Sequence, residues 1–144
     1  MPEKETLERA RQDKREGKAA STQAGEFVRE EIEHIREGKH GARSTKQAIA
    51  IGLSKARRAG VDLPPSQGSS EETKEQATRD LRKAKSSKRP SATRSRATRK
   101  ALKREGHSAA SKEALSRQAR SAAKKRSAAS RSRSAKKAAA TRKK

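Results

Sequence analysis

With 144 residues, no cysteine, one aromatic residue and a formal charge of +23, the chain has the length of one domain but lacks the apolar material for a core of that size. That composition excludes disulfide frameworks, thiolate metal sites and thiol catalysis. Leu, Ile, Val and Phe number 13, about 9% of the residues, far below the ~20% under which chains tend to disorder.

Residues 3–16 read as a helix charged on all sides, with Leu7 its only large apolar residue, so a frayed and solvated helix is expected. Gly17 ends it. Ser21 or Thr22 would cap the next helix, where Phe27, Val28, Ile32 and Ile35 recur at helical spacing. Glu30, Glu31 and Glu33 would cover its remaining surface, and Gly38 and Gly41 mark its end. Ser44 with Gln47 three residues later is a capping box. It opens a helix over 45–59 with Ile49, Leu53 and Ala56 on one face. Gly52 inside that helix costs about 1 kcal/mol relative to alanine, and close packing against the preceding helix is the expected reason. Gly60 and Pro64-Pro65 close the unit.

Nine of the 13 large apolar residues fall between Phe27 and Leu63. The expected core is therefore Phe27, Val28, Ile32, Ile35, Ile49 and Leu53, within a helical hairpin spanning about 22–63. Four stretches result: a charged N-terminal helix (1–20), the hairpin module (21–65), a linker with a short helix over 71–85 (66–90) and a basic tail (91–144). The tail is built from Ser, Ala, Thr, Lys and Arg. The fold class expected is all-α and largely disordered, with nascent helices near 92–105 and 111–126 that firm up only on phosphates.

A degenerate repeat crosses these stretches. Arg-Glu-Gly occurs at 15–17, 36–38 and 104–106, and Thr45-Lys46-Gln47-Ala48-Ile49 parallels Ser111-Lys112-Glu113-Ala114-Leu115. Each copy reads as a helix-ending glycine, a loop and a polar cap.

Residues 36–60, with Lys46-Gln47-Ala48-Ile49-Ala50-Ile51-Gly52-Leu53-Ser54-Lys55-Ala56-Arg57-Arg58-Ala59-Gly60, resemble an uncharacterised bacterial domain family. That resemblance implies a bacterial source and a small helical module, and assigns no catalytic residue. The last 60 residues are similar in composition to the Lys/Ala/Ser-rich tails of linker histones and bacterial histone-like proteins, which implies nucleoid association.

Charge points the same way. Residues 81–144 hold 24 Lys and Arg against Glu105 and Glu113, whereas residues 1–80 hold 16 basic and 15 acidic side chains. A polycation of this density suits a polyphosphate. The phosphate-binding candidates are Arg82, Lys83, Lys88, Arg89, Arg99, Lys100, Lys103, Arg104, Lys124, Lys125, Arg126, Arg131, Arg133, Lys136, Lys137, Arg142, Lys143 and Lys144. Contacts of this kind carry no sequence information, so binding to duplex DNA is expected to be non-specific. The alternatives are an RNA- or ribosome-associated basic protein, and an adaptor that docks a partner on the hairpin's apolar face. A recognition helix over 45–59, using Lys46, Lys55, Arg57 and Arg58, is disfavoured because its acidic partner would repel phosphate.

Catalysis is not expected, since no nucleophile–base pattern or phosphate-cradling glycine motif occurs. His34 and His40 are six residues apart on different helical faces, and with His107 are expected to be solvated. No metal and no cofactor is expected. No apolar run reaches the ~18 residues of a membrane span, and Met1-Pro2-Glu3-Lys4-Glu5 does not open a secretory signal. The expected setting is cytoplasmic and nucleoid-associated, without a membrane partner. Oligomeric state is not legible.

Overall fold

A computed structural model describes residues 2–66, 68–86 and 88–143. Seven α-helices account for most of them: α1 (Lys4–Arg15), α2 (Ala20–Arg36), α3 (Thr45–Arg58), α4 (Glu71–Ala84), α5 (Ala92–Lys103), α6 (Lys112–Lys124) and α7 (Ala128–Arg142). A 3-10 turn, Ser108–Ala110, precedes α6. The chain is all-helical, and the expectation of a largely disordered protein with only nascent helices in its tail is overturned.

Two physical reasons account for the ordered tail. Ser91, Ser111 and Ser127 each cap a helix, accepting from the N–H of Arg94 (3.4 Å), Ala114 (3.1 Å) and Ser130 (3.1 Å). Helix initiation is the costly step, and such caps contribute about 0.5–2 kcal/mol each. Between the caps, Ala, Lys and Arg extend a helix at little cost. The second reason is that Ala109 and Ala110 of the 3-10 turn, with Leu115 beside them, join a core made largely of alanine. Among the described residues, eight of the twelve buried hydrophobic ones are Ala: 10, 24, 42, 48, 56, 77, 109 and 110.

Helix α2 is central, packing on α1, α3 and the 3-10 turn. One of its faces joins Ala24 and Phe27 to Ala10 of α1, Ala56 of α3 and Val61, with Leu53 and Leu63 partly buried alongside. Another joins Ile32 and Ile35 to Ala42, Ala48, Ala109 and Ala110, with Val28 and Leu115 partly buried. The expected core residues Phe27, Ile32 and Ile35 are thus fully inside, and Val28 and Leu53 lie at the edges. Ile49 is half-buried and belongs to neither cluster. The inward stripe of α3 is instead Thr45, Ala48, Gly52 and Ala56, because small residues let the two backbones come close. A Cβ on Gly52 would lie 2.6 Å from Val28 Cα, which is the close packing that its cost in helix propensity suggests.

Other details depart from the sequence reading. α1 is docked rather than frayed, with Thr6, Ala10 and Asp13 buried and Arg9 Nε 2.6 Å from Glu26 Oε2. α2 begins behind Ala19 without a side-chain cap, not at Ser21 or Thr22. Ser44 does cap α3, accepting from Gln47 N at 3.2 Å, but the Gln47 side chain accepts from Arg43 N (2.7 Å) rather than from the cap residue. Glu30 and Glu31 are buried, not on the surface.

The loop between α2 and α3 interlocks with the segment between α5 and α6. Gly41 N donates to Leu102 O (2.9 Å) and Ala42 N to Gly106 O (3.0 Å). Arg36 Nε donates to Ala110 O (2.9 Å), and Thr45 Oγ1 to Ala109 O (2.7 Å). The second and third copies of the Arg-Glu-Gly repeat therefore lie against each other. They are not equivalent, since Gly38 takes φ +77° as a helix-ending glycine and Gly106 does not enter that region.

α4 docks on α3 through Ala77 and Asp80, both fully buried. Asp80 accepts from Ser54 Oγ, Arg58 Nε (2.8 Å) and Gln76 Nε2 (3.1 Å). Burial pushes the Asp80 carboxyl up, but these hydrogen bonds and the Arg58 charge outweigh it and hold the group below its ordinary value. A carboxyl with a lowered folded pKa stabilises above its unfolded value, about 3.9, and that contribution is lost as pH falls through the folded value. Amide protection along α4 is therefore expected to drop on acidification below about pH 4, and an Asp80→Asn variant should lack that step. Identical acid profiles for the two proteins would count against this linkage.

Candidate nucleic-acid interface

Most of the described basic residues beyond position 80 are carried by helices, and the rest lie at helix caps or between helices. Arg82 and Lys83 lie in the last turn of α4, and Lys88 and Arg89 between α4 and α5. Arg99, Lys100 and Lys103 are on α5, with Arg104 at its C-cap. Lys124 ends α6, Lys125 caps it, and Arg126 follows. Arg131, Arg133, Lys136, Lys137 and Arg142 are on α7, with Lys143 at its C-cap. Lys144 lies outside the described residues.

Every described Lys and Arg from Arg82 onward is exposed. Among the described residues, none of them forms a salt bridge. α5 and α7 bury no side chain. Their charge therefore faces water on all sides, as expected of helices with no packed stripe. The candidates are spread over several helices rather than gathered at one point.

One local concentration does occur on α6. Ala114, Leu115 and Gln118 are half-buried, while Arg117, Arg120 and Lys124 point outward at i, i+3 and i+7. With Ser121 and Lys125 they line a shallow open recess of about 410 Å³. Arg117 and Arg120 were not among the residues singled out from sequence, where adjacent basic pairs drew attention. Helical spacing within 112–124 was the signal that could have found them.

α3 is not arranged as a recognition helix. Lys55 is paired with Glu31, Arg57 is buried and donates to Leu63 O (2.8 Å), and Arg58 holds Asp80. Of the four basic residues weighed for that role, Lys46 alone makes no side-chain hydrogen bond or ion pair among the described residues. Phe27, the one aromatic side chain, is 1% exposed and presents no face for stacking a base.

A separate cluster gathers at the C-terminal end of α2. His34 and His40 are not solvated, their side chains being only 14% and 13% exposed. Their rings meet edge-on with centroids 6.1 Å apart. One ligating atom from each of Glu31, His34 and His40 lies within 4.8 Å of the other two. Helical faces do not govern this pair, because the chain leaves the helix at Gly38 and folds back, bringing His40 over the helix end. Lys55 reaches the same place from α3, within 4.0 Å of Glu30 Oε1 and in contact with Glu31 Oε1.

Residues 11–67 match the model of a family of unknown function (DUF6496). The match spans the last turn and a half of α1, all of α2 and α3, and the segment after them, so the resemblance read over 36–60 is to an uncharacterised domain. No curated protein and no solved structure matches the chain. No helix among the described residues is long and apolar enough to cross a membrane.

Proposed function

We propose that the protein binds duplex nucleic acid without sequence preference, by neutralising phosphates with the Lys and Arg side chains of α5, α6, α7 and their flanks. The observation that carries this reading is the exposed, unpaired state of every described basic side chain beyond position 80. Basic residues that serve the fold are committed to internal partners, Lys55 and Arg58 to carboxylates and Arg36 and Arg57 to backbone carbonyls. Free exposed charge on ordered helices suits phosphate contact, which positions a protein on nucleic acid without reading bases. Duplex DNA is favoured over single strands and RNA loops because those are usually held by stacking on exposed aromatic rings. The setting this reading implies is a bacterial nucleoid, with a role like that of histone-like proteins and no chemistry performed.

The test is a binding titration of the full chain on unrelated duplexes of equal length, on single-stranded DNA and on structured RNA. Duplexes of different sequence should bind alike and more tightly than single strands. No binding to any of them in dilute buffer, or a complex confined to one sequence, would overturn the reading. Stronger binding to RNA would move the function to an RNA partner.

A further inference from the structure

Glu30 and Glu31 are buried, at 2% and 0% exposure, in a chain otherwise rich in positive charge. Among the described residues, Lys55 is the one ammonium near both. Each carboxylate keeps an oxygen, Glu30 Oε1 and Glu31 Oε2, that is shielded from solvent and accepts no hydrogen bond among the described residues. Buried carboxylates without compensating donors are costly, so the site is short of positive charge.

The neighbours of Glu31 Oε2 are imidazoles. His40 Nε2 lies 3.1 Å from it, while His40 Nδ1 lies 2.9 Å from Gly41 O. When Nδ1–H donates to that carbonyl, the neutral ring leaves a bare Nε2 lone pair close to a carboxylate oxygen that accepts no hydrogen bond. Two acceptors at that separation need a cation or a proton between them. His34, one helical turn after Glu31 and on the same face, brings the second ring, with its Nε2 3.0 Å from Glu3 Oε1. Metal-bound histidines commonly carry such a carboxylate or carbonyl on the other ring nitrogen, which sets the tautomer and orients the ring.

We propose that Glu31, His34 and His40 form a binding site for a first-row divalent metal ion of the zinc class. Two imidazoles and one carboxylate are a ligand set that zinc accepts, with a further position left to water. The ion would take Glu31 Oε2 while Lys55 stays on Oε1, supplying the charge that the two buried carboxylates lack. It would tie the loop after α2 to the helix, and so fasten the interlock of that loop with α5. The partial exposure of both rings leaves the ion a way in.

The experiment uses the untagged full-length chain, stripped of metal by a chelator and then titrated with Co²⁺ and displaced by Zn²⁺. One equivalent of Co²⁺ should give visible d–d absorption that Zn²⁺ abolishes, and Zn²⁺ should raise the melting temperature. His40→Ala and Glu31→Gln should each weaken binding at least ~10-fold, the smallest loss that even an orienting partner causes at such sites. His107→Ala should leave binding unchanged. Far-UV circular dichroism of each variant shows whether it has folded, and His34→Ala replaces any that has not. No saturable uptake, or equal affinity in the wild type and every folded variant, would overturn the proposal and leave an adventitious ion only.

Discussion

Raising the salt from about 50 to about 200 mM should weaken binding to duplex DNA by about 10³–10⁵-fold, if some 6–10 phosphates are engaged. Each neutralised phosphate releases condensed counterion, so log K falls linearly with log salt at roughly 0.9 per contact. The basic side chains beyond position 80 are exposed and unpaired among the described residues, so phosphates would not have to displace internal carboxylates. Most of them are also held on formed helices, which lowers the ordering cost that a disordered tail would meet on binding. The α6 stripe gives a sharper version of the test. Replacing Arg117, Arg120 and Lys124 by Gln should reduce the salt slope by roughly 3, about one unit per lost phosphate contact, and weaken all duplexes equally. A slope unchanged by the triple replacement would mean that this face does not touch the backbone. The measurement is a fluorescence-anisotropy titration repeated across a salt series.

Two glycine-to-alanine exchanges should act with opposite sign, although both residues sit inside helices. Gly52→Ala places a Cβ 2.6 Å from Val28 Cα and 2.9 Å from Val28 N. The obstacle is backbone, so α2 and α3 must separate, and overpacking of this kind costs about 1–3 kcal/mol. That outweighs the gain of about 1 kcal/mol in helix propensity. Gly25→Ala on α2 meets nothing within 4 Å, and should raise stability by about 0.4–1 kcal/mol. Urea unfolding of the two variants beside the parent chain checks both. A stabilised Gly52→Ala protein would show that α2 and α3 can separate at this contact with little loss of packing.

Helix positions were legible because punctuation is local. Ser44, Ser70, Ser91 and Ser111 cap helices where the sequence pattern places starts, and Gly17, Gly38 and Gly60 end them with positive φ. The interior was less legible. Counting Leu, Ile, Val and Phe locates Phe27, Ile32 and Ile35, yet alanine supplies most of the buried positions and is equally at home on a helix surface. Nothing in its own neighbourhood distinguishes Ala109 or Ala110, which are buried, from Ala128 or Ala129, which are not. The difference is made by tertiary contact with Ile32 and Ile35. The same holds for charge. Glu30 and Glu31 resemble the exposed Glu33, and what sets them apart is the approach of Glu3, His40 and Lys55 from other elements.

The alanine pair of the 3-10 turn has a consequence for anyone dissecting the chain. Ala109 and Ala110 roof the floor made by Ile32, Ile35 and Ala48, so a fragment stopping short of α5 is unroofed, and its wet isoleucines invite self-association. Cutting after Lys125 instead sheds eight cations, Arg126 through Lys144, and no anion, while α7 takes no buried side chain with it. Only the latter truncation separates loss of charge from loss of the folded body.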